Sequence, residues 1–174
     1  MTDTHNALSK TLSKIPLFYG LQANELGIVL AICKAESFVE GDTIFNEDDP
    51  SHSMYILLSG EVAIKSKKKG DIVTLNSCDI FGEIGLITQR TRSAAAIAAS
   101  SCNLLRIDHI EFNLLAGKQP RISAILMKNI STNLANHVVR MNNDASSLEH
   151  IPNSKKAEAP QDIQQILNNT HIGI

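Results

Sequence analysis

The 174-residue sequence predicts an α+β fold in which a compact antiparallel β unit sits between short N-terminal helices and longer C-terminal helices. Three observations carry that expectation. Apolar residues recur at helical spacing up to about Lys34, the pattern changes to short alternating or apolar runs between Ala35 and Ile107, and helical spacing returns from Asp108 onward.

The N-terminal helical pattern rests on Leu8, Leu12, Ile15, Leu26, Val29, Leu30 and Ile32, interrupted at Pro16 and Gly20, which predicts two or three short helices. The β unit is read from "SMYILLSGEVAIK", "DIVTLN" and "SAAAIAASSCNLLRID", runs separated by Gly, Asp, Asn and Ser. The lysine run from Lys65 to Gly70 lies between two of them and ends in Gly-Asp, so it reads as the solvated tip of a hairpin. After "HIEFNLLAG", a longer helix is predicted from Pro120 to Met141. Its apolar residues Ile122, Leu126, Ile130, Leu134, Val138 and Met141 form one stripe that drifts around the helix. Beyond Asn142 the sequence is polar and punctuated by proline, the composition of a mostly flexible tail. The expected organisation is a lead over residues 1–14, one domain over 15–141 and a tail over 142–174.

Composition narrows the function classes. A chain of this length, 43% hydrophobic and with net charge −2, closes one sizeable core. No eighteen apolar residues run together and the first ten are polar, which predicts a cytoplasmic protein without membrane contact. Cys33, Cys78 and Cys102 are odd in number and widely spaced, the pattern of reduced packing residues. Aromatic residues make up only 4%, too few for the stacking surfaces of nucleic-acid binders. Neither a catalytic fingerprint nor histidines at metal-ligand spacing appear, so no enzyme and no metal are expected.

The stretch "FGEIGLITQRTRSAAA", Phe81 to Ala96, carries the functional signal. Gly82 and Gly85 let the backbone turn sharply and approach a ligand, and exposed N–H groups of such a turn favour an anion. Arg92 adds a charge with a fork of donors suited to phosphate oxygens, while an ionised Glu83 accepts from sugar hydroxyls. A ligand with both phosphate and ribose uses all these groups. The alternative is ordinary turn chemistry with a surface Glu–Arg pair.

From about Ile15 to Met141 the sequence resembles the cyclic nucleotide-binding domain family. That domain is shared by the bacterial catabolite activator protein, the regulatory subunits of cyclic AMP-dependent protein kinase and cyclic nucleotide-gated channels. "IPLFYGLQANELGIVLAICKAESFVEGDTIFNEDDPSHSMYILLSGEVAIK" is similar to its lead-in, with Gly41 and Gly60 at turn positions, and "FGEIGLITQRTRSAA" resembles its phosphate-binding cassette. The resemblance implies a β-roll, a double-stranded jelly-roll-like antiparallel barrel. It implies that Glu83 accepts from the ribose 2′-OH and that the backbone of Gly82, Ile84 and Gly85 lines sugar and phosphate. Arg92 would pair with the exocyclic phosphate oxygens, helped by the N–H and hydroxyl of Ser93 and the backbone of Ala94. Ile64, Leu75 and Ile80 are assigned to the core ahead of the pocket wall. Two departures stand out: Cys78 occupies a position where the family usually has glycine, predicting an altered turn, and "NEDDPSHSMY" lacks a loop glycine.

The resemblance implies a cyclic nucleotide as ligand, cyclic AMP ahead of cyclic GMP, with base contacts from among Asn133, Asn136, His137 and Arg140. Only 33 residues follow Met141, too few for the helix-turn-helix of the catabolite activator branch, so direct DNA binding is not expected. The leading expectation is a stand-alone sensor that signals to an unidentified protein partner through its C-terminal helices, with Gly117 as hinge. The helix over residues 120–141 would pair in a homodimer. The alternatives are a ligand-silent interaction scaffold and a truncated transcription regulator.

Overall fold

The computed structural model describes residue 12 and residues 14–147, with side chains through residue 139. Its centre is strand β3 (Ser53–Ser59), and the alternation of a strand explains the whole arrangement. Met54 and Ile56 point into one core and Tyr55 and Leu57 into another, so apolar residues follow one another without a polar face.

Around β3 the elements run in chain order. A 3₁₀ turn (Pro16–Phe18) and helix α1 (Ala23–Ala31) precede β1 (Cys33–Phe38) and β2 (Thr43–Phe45). After β3 come β4 (Val62–Ser66), β5 (Gly70–Leu75), β6 (Ile80–Phe81), helix α2 (Glu83–Thr88), β7 (Ala95–Ala98) and β8 (Cys102–Asp108). Helices α3 (His109–Lys118) and α4 (Pro120–Ser147) end the described chain. The strands form two four-stranded sheets, in the orders β1-β8-β3-β6 and β2-β7-β4-β5, with antiparallel neighbours throughout. Leu57, Phe81 and Leu104 of the first sheet meet Val62, Leu75, Ala96 and Ala98 of the second. On its other side the first sheet presents Met54, Ile56 and Ile107 to Phe18, Val29, Phe112, Ile122, Leu126 and Ile130 of the helices. This is the predicted α+β arrangement.

Three local readings change. The cassette forms a short helix, α2, where the sequence reads as a tight turn. "SAAAIAASSCNLLRID" breaks at residues 99–101 into β7 and β8, which belong to different sheets. Gly117 lies inside α3, and the break before α4 falls at Gln119 (φ −134°, ψ 67°). Helix α4 also continues past Met141 to Ser147, while the remainder of the tail and most of the lead lie outside the described residues.

The chain divides into two compact units, residues 1–136 and 137–174. The first contains both sheets. There the predicted stripe of α4 is buried at Ile122, Leu126 and Ile130, and Leu134 packs partly against the same core. The described part of the second is the end of α4, where Val138 and Val139 are exposed.

Candidate functional site

Strand β6 pairs with β3 through Tyr55↔Phe81 and Ile56↔Ile80, and so delivers the chain into Gly82 beside the start of β3. Gly82 caps α2 with φ 75°, the left-handed region that glycine enters without penalty. A Cβ there would lie 2.5 Å from Arg92 Nη1. One residue past Ile84, a Cβ on Gly85 would lie 1.5 Å from Ser51 Oγ and 2.2 Å from Ser51 Cβ. The two glycines are therefore what allow α2 to lie directly on β3 and on the arginine. Gln89 ends the helix, also left-handed at φ 55°.

Arg92 is fixed at both backbone and side chain. Its N–H donates to Asp49 O and its carbonyl accepts from Asp48 N–H, each at 2.9 Å. Its guanidinium is 6% exposed, with Nη1 donating to Gly82 O (3.0 Å) and Nη2 to Ser53 Oγ (3.1 Å). The buried Nε has no hydrogen-bond partner among the described residues. Phe45 lies under the guanidinium at 4.0 Å and Tyr55 at 5.8 Å, and both rings pack with Phe81. Burial pulls the arginine below the usual guanidinium range, opposed by Tyr55, Asp49 and Glu83, and it remains a cation at neutral pH.

The remaining residues of this stretch differ in exposure. Glu83, the first residue of α2, is 5% exposed. Ile84 and Ser93 are exposed and Ala94 is buried. Leu75 and Ile80 are buried in the two cores and Ile64 packs against the inter-sheet core, the structural role assigned to them. Of the residues proposed for the base, Asn133 is half-buried with an unpartnered amide nitrogen, Asn136 is exposed and His137 half-buried. The Arg140 side chain lies outside the described residues.

Sequence reasoning missed Phe45, Ser51, Ser53 and Tyr55. Ser53 and Tyr55 are two apart on β3, so they share the face turned to Arg92, a signal visible only once the strand's register is known. The departure at Cys78 is also resolved. Cys78 adopts φ 80°, so the turn keeps a glycine-type backbone, and its N–H still donates to Leu57 O at 2.8 Å. Asp48, in the loop without glycine, likewise takes φ 74°. A non-glycine residue thus holds a backbone conformation that glycine adopts freely.

A cleft of about 530 Å³ lies between the β4–β5 hairpin and the loop that clamps Arg92. Its lysines are already paired, Lys65 with Asp71 and Lys67 with Asp48. Among the described residues, no cluster of three or more histidine, cysteine or carboxylate side chains could hold a metal, and no helix is long and apolar enough to cross a membrane.

A buried arginine held against the capping glycine of a short helix, within two four-stranded antiparallel sheets, is the arrangement to be compared with known domains. Residues 35–118 match the family model described as Cyclic nucleotide-binding domain. The chain is 30% identical over 131 residues to Glutaminase 1 of Bradyrhizobium diazoefficiens, which covers 75% of this chain and 21% of that protein. It is 31% identical over 106 residues to a cAMP-dependent protein kinase regulatory subunit of Hypocrea atroviridis, covering 61% and 23%. The crystal structure of the Thermus thermophilus catabolite activator protein superposes with a TM-score of 0.66 at 25% identity, over 76% of this chain and 62% of that one. The chain spans about a quarter of the length of the curated relatives it matches. Its β unit belongs to the cyclic nucleotide-binding domain family and has that family's β-roll.

Proposed function

We propose that this domain is a cyclic nucleotide sensor, a binding module and not a catalyst, that takes cyclic AMP ahead of cyclic GMP. The observation that carries the reading is the buried guanidinium of Arg92, whose Nη groups rest on a carbonyl and a hydroxyl and whose Nε has no hydrogen-bond partner among the described residues. A buried cation is stabilised by a charged acceptor with several lone pairs, and a cyclic phosphate supplies one. In this reading Arg92 holds the exocyclic oxygens and Glu83 accepts from the ribose 2′-OH. The backbone of Gly82, Ile84 and Gly85, the N–H and hydroxyl of Ser93 and the backbone of Ala94 complete the donor set. The preference for cyclic AMP is supported by the identity shared with a cAMP-dependent kinase subunit.

The output passes to a protein partner through α3 and α4, in the cytoplasm and without direct DNA contact. Helix α3 begins at the residue after β8, and the break at Gln119 between α3 and α4 supports a hinge there ahead of Gly117. Exposed Val138 and Val139 support pairing of two copies through α4. A ligand changes output only by binding two conformations with different affinity. Hydrogen exchange with and without saturating cyclic AMP tests this: slowed exchange over residues 82–94 together with altered exchange over 109–141 is expected. Protection confined to residues 82–94 would make the nucleotide a structural ligand, and no protection would leave the scaffold.

A further inference from the structure

Ser51 is 2% exposed, yet its hydroxyl has no hydrogen-bond partner among the described residues. A buried hydroxyl in that state loses its hydration and gains nothing in return, and alanine would fill the space as well. Arg92 Nε is likewise buried without a hydrogen-bond partner among the described residues. Ser51 Oγ and Arg92 Nη1 lie 1.5 Å and 3.5 Å from one point, the position of a Cβ that Gly85 lacks, so the hydroxyl occupies the place Gly85 leaves open and the guanidinium borders it. Their chemistry is complementary, since the guanidinium has only donors and the hydroxyl has two acceptor lone pairs.

We infer that Ser51 is a positioning residue for Arg92, accepting a guanidinium N–H when the arginine turns to hold the ligand's phosphate. The inference rests on the reading of the cassette as a nucleotide site. Without ligand, Nη1 and Nη2 are held by Gly82 O and Ser53 Oγ. An anion that draws these donors toward itself rotates the guanidinium plane, and Ser51 Oγ is the adjacent acceptor without a partner. The hydroxyl then fixes the ligand-holding orientation. Gly85 has a second purpose in this account, because a side chain there would displace the Ser51 hydroxyl from its place beside the guanidinium.

The test is Ser51→Ala in the full chain, titrated with cyclic AMP by calorimetry alongside the parent. The expected result is a loss of affinity on the order of ten-fold, the worth of one hydrogen bond to a charged group. The unliganded melting temperature should be unchanged or higher, because an unsatisfied hydroxyl is removed. In an Arg92→Lys background, titrated at millimolar nucleotide, Ser51→Ala should change affinity by less than about two-fold, since coupled residues are not additive. Parent-like affinity in Ser51→Ala overturns the inference alone, as does an equal loss in both backgrounds accompanied by a lower melting temperature, the signature of packing. A parent that binds no cyclic nucleotide overturns the functional reading and this inference with it.

Discussion

Gly85→Ala tests whether the close approach of α2 to β3 is what builds the cassette. The added Cβ would lie 1.5 Å from Ser51 Oγ and 2.2 Å from Ser51 Cβ, whereas ordinary contact begins near 3.4 Å. Ser51 is buried just before β3 and has no open space to move into, so the helix must lift. Overpacking of this kind costs about 1–3 kcal/mol, and an overlap this deep belongs at the upper end. Alanine's better helix propensity returns at most about 1 kcal/mol. The net loss is then about 1–2 kcal/mol, a fall in melting temperature on the order of 3–8 °C. Differential scanning calorimetry of the ligand-free protein measures it. Ser51→Gly in the same background removes the overlapping atoms and should recover more than half of the loss. An unchanged melting temperature in Gly85→Ala, or a double variant no more stable than the single one, would refute the reasoning.

Arg92→Ala should weaken cyclic AMP binding by about 2–5 kcal/mol, roughly 30- to several-thousand-fold, with a native circular dichroism spectrum; an unchanged dissociation constant removes the arginine from the site. Glu83→Gln should cost about 1–3 kcal/mol, and 2′-deoxy cyclic AMP binding the parent as well as cyclic AMP would count against a ribose role for Glu83. Burial pushes the Cys33 thiol from its ordinary 9.0 up to about 12, so iodoacetamide at pH 8 should alkylate it roughly a thousand-fold more slowly in the folded protein than in urea. Because the folded value is the higher one, the stability linked to Cys33 is fully present below pH 9.0 and lost as pH rises from there toward about 12. Val138→Glu places a charge on an exposed apolar position of α4 and should give monomers in light scattering; a parent already monomeric at high micromolar concentration contradicts pairing.

The β unit was legible because short apolar runs such as Ser53–Ser59 are bounded by turn residues, a property of the local sequence. The hairpin tip at Lys67–Lys69 was legible from a charged run that ends in Gly-Asp between two strands. Helix α2 was not, since six residues that begin and end in left-handed conformations at Gly82 and Gln89 carry too few turns to show a helical period. The two arms of the cassette, Gly82 to Gly85 and Arg92, could be picked out as chemistry. What holds the arginine could not. Ser53 lies 39 residues away from it in sequence, and its part depends on the register that sets β6 against β3. Cys78 shows another limit: residue type alone gives no sign of its positive φ, and the backbone hydrogen bonds between this turn and Leu57 hold a conformation that costs a non-glycine residue strain. Gly117 lies within the hydrogen-bonded ladder of its helix, and the break before α4 falls two residues later, at Gln119, which its residue type does not announce.

Calorimetric titration of the purified chain with cyclic AMP and cyclic GMP, with 5′-AMP as control, tests the central claim most directly. The account predicts saturable one-site binding of cyclic AMP, weaker binding of cyclic GMP, and loss of both in Arg92→Ala. Absence of heat with either cyclic nucleotide at millimolar concentration, from a protein with a cooperative melting transition, would contradict it.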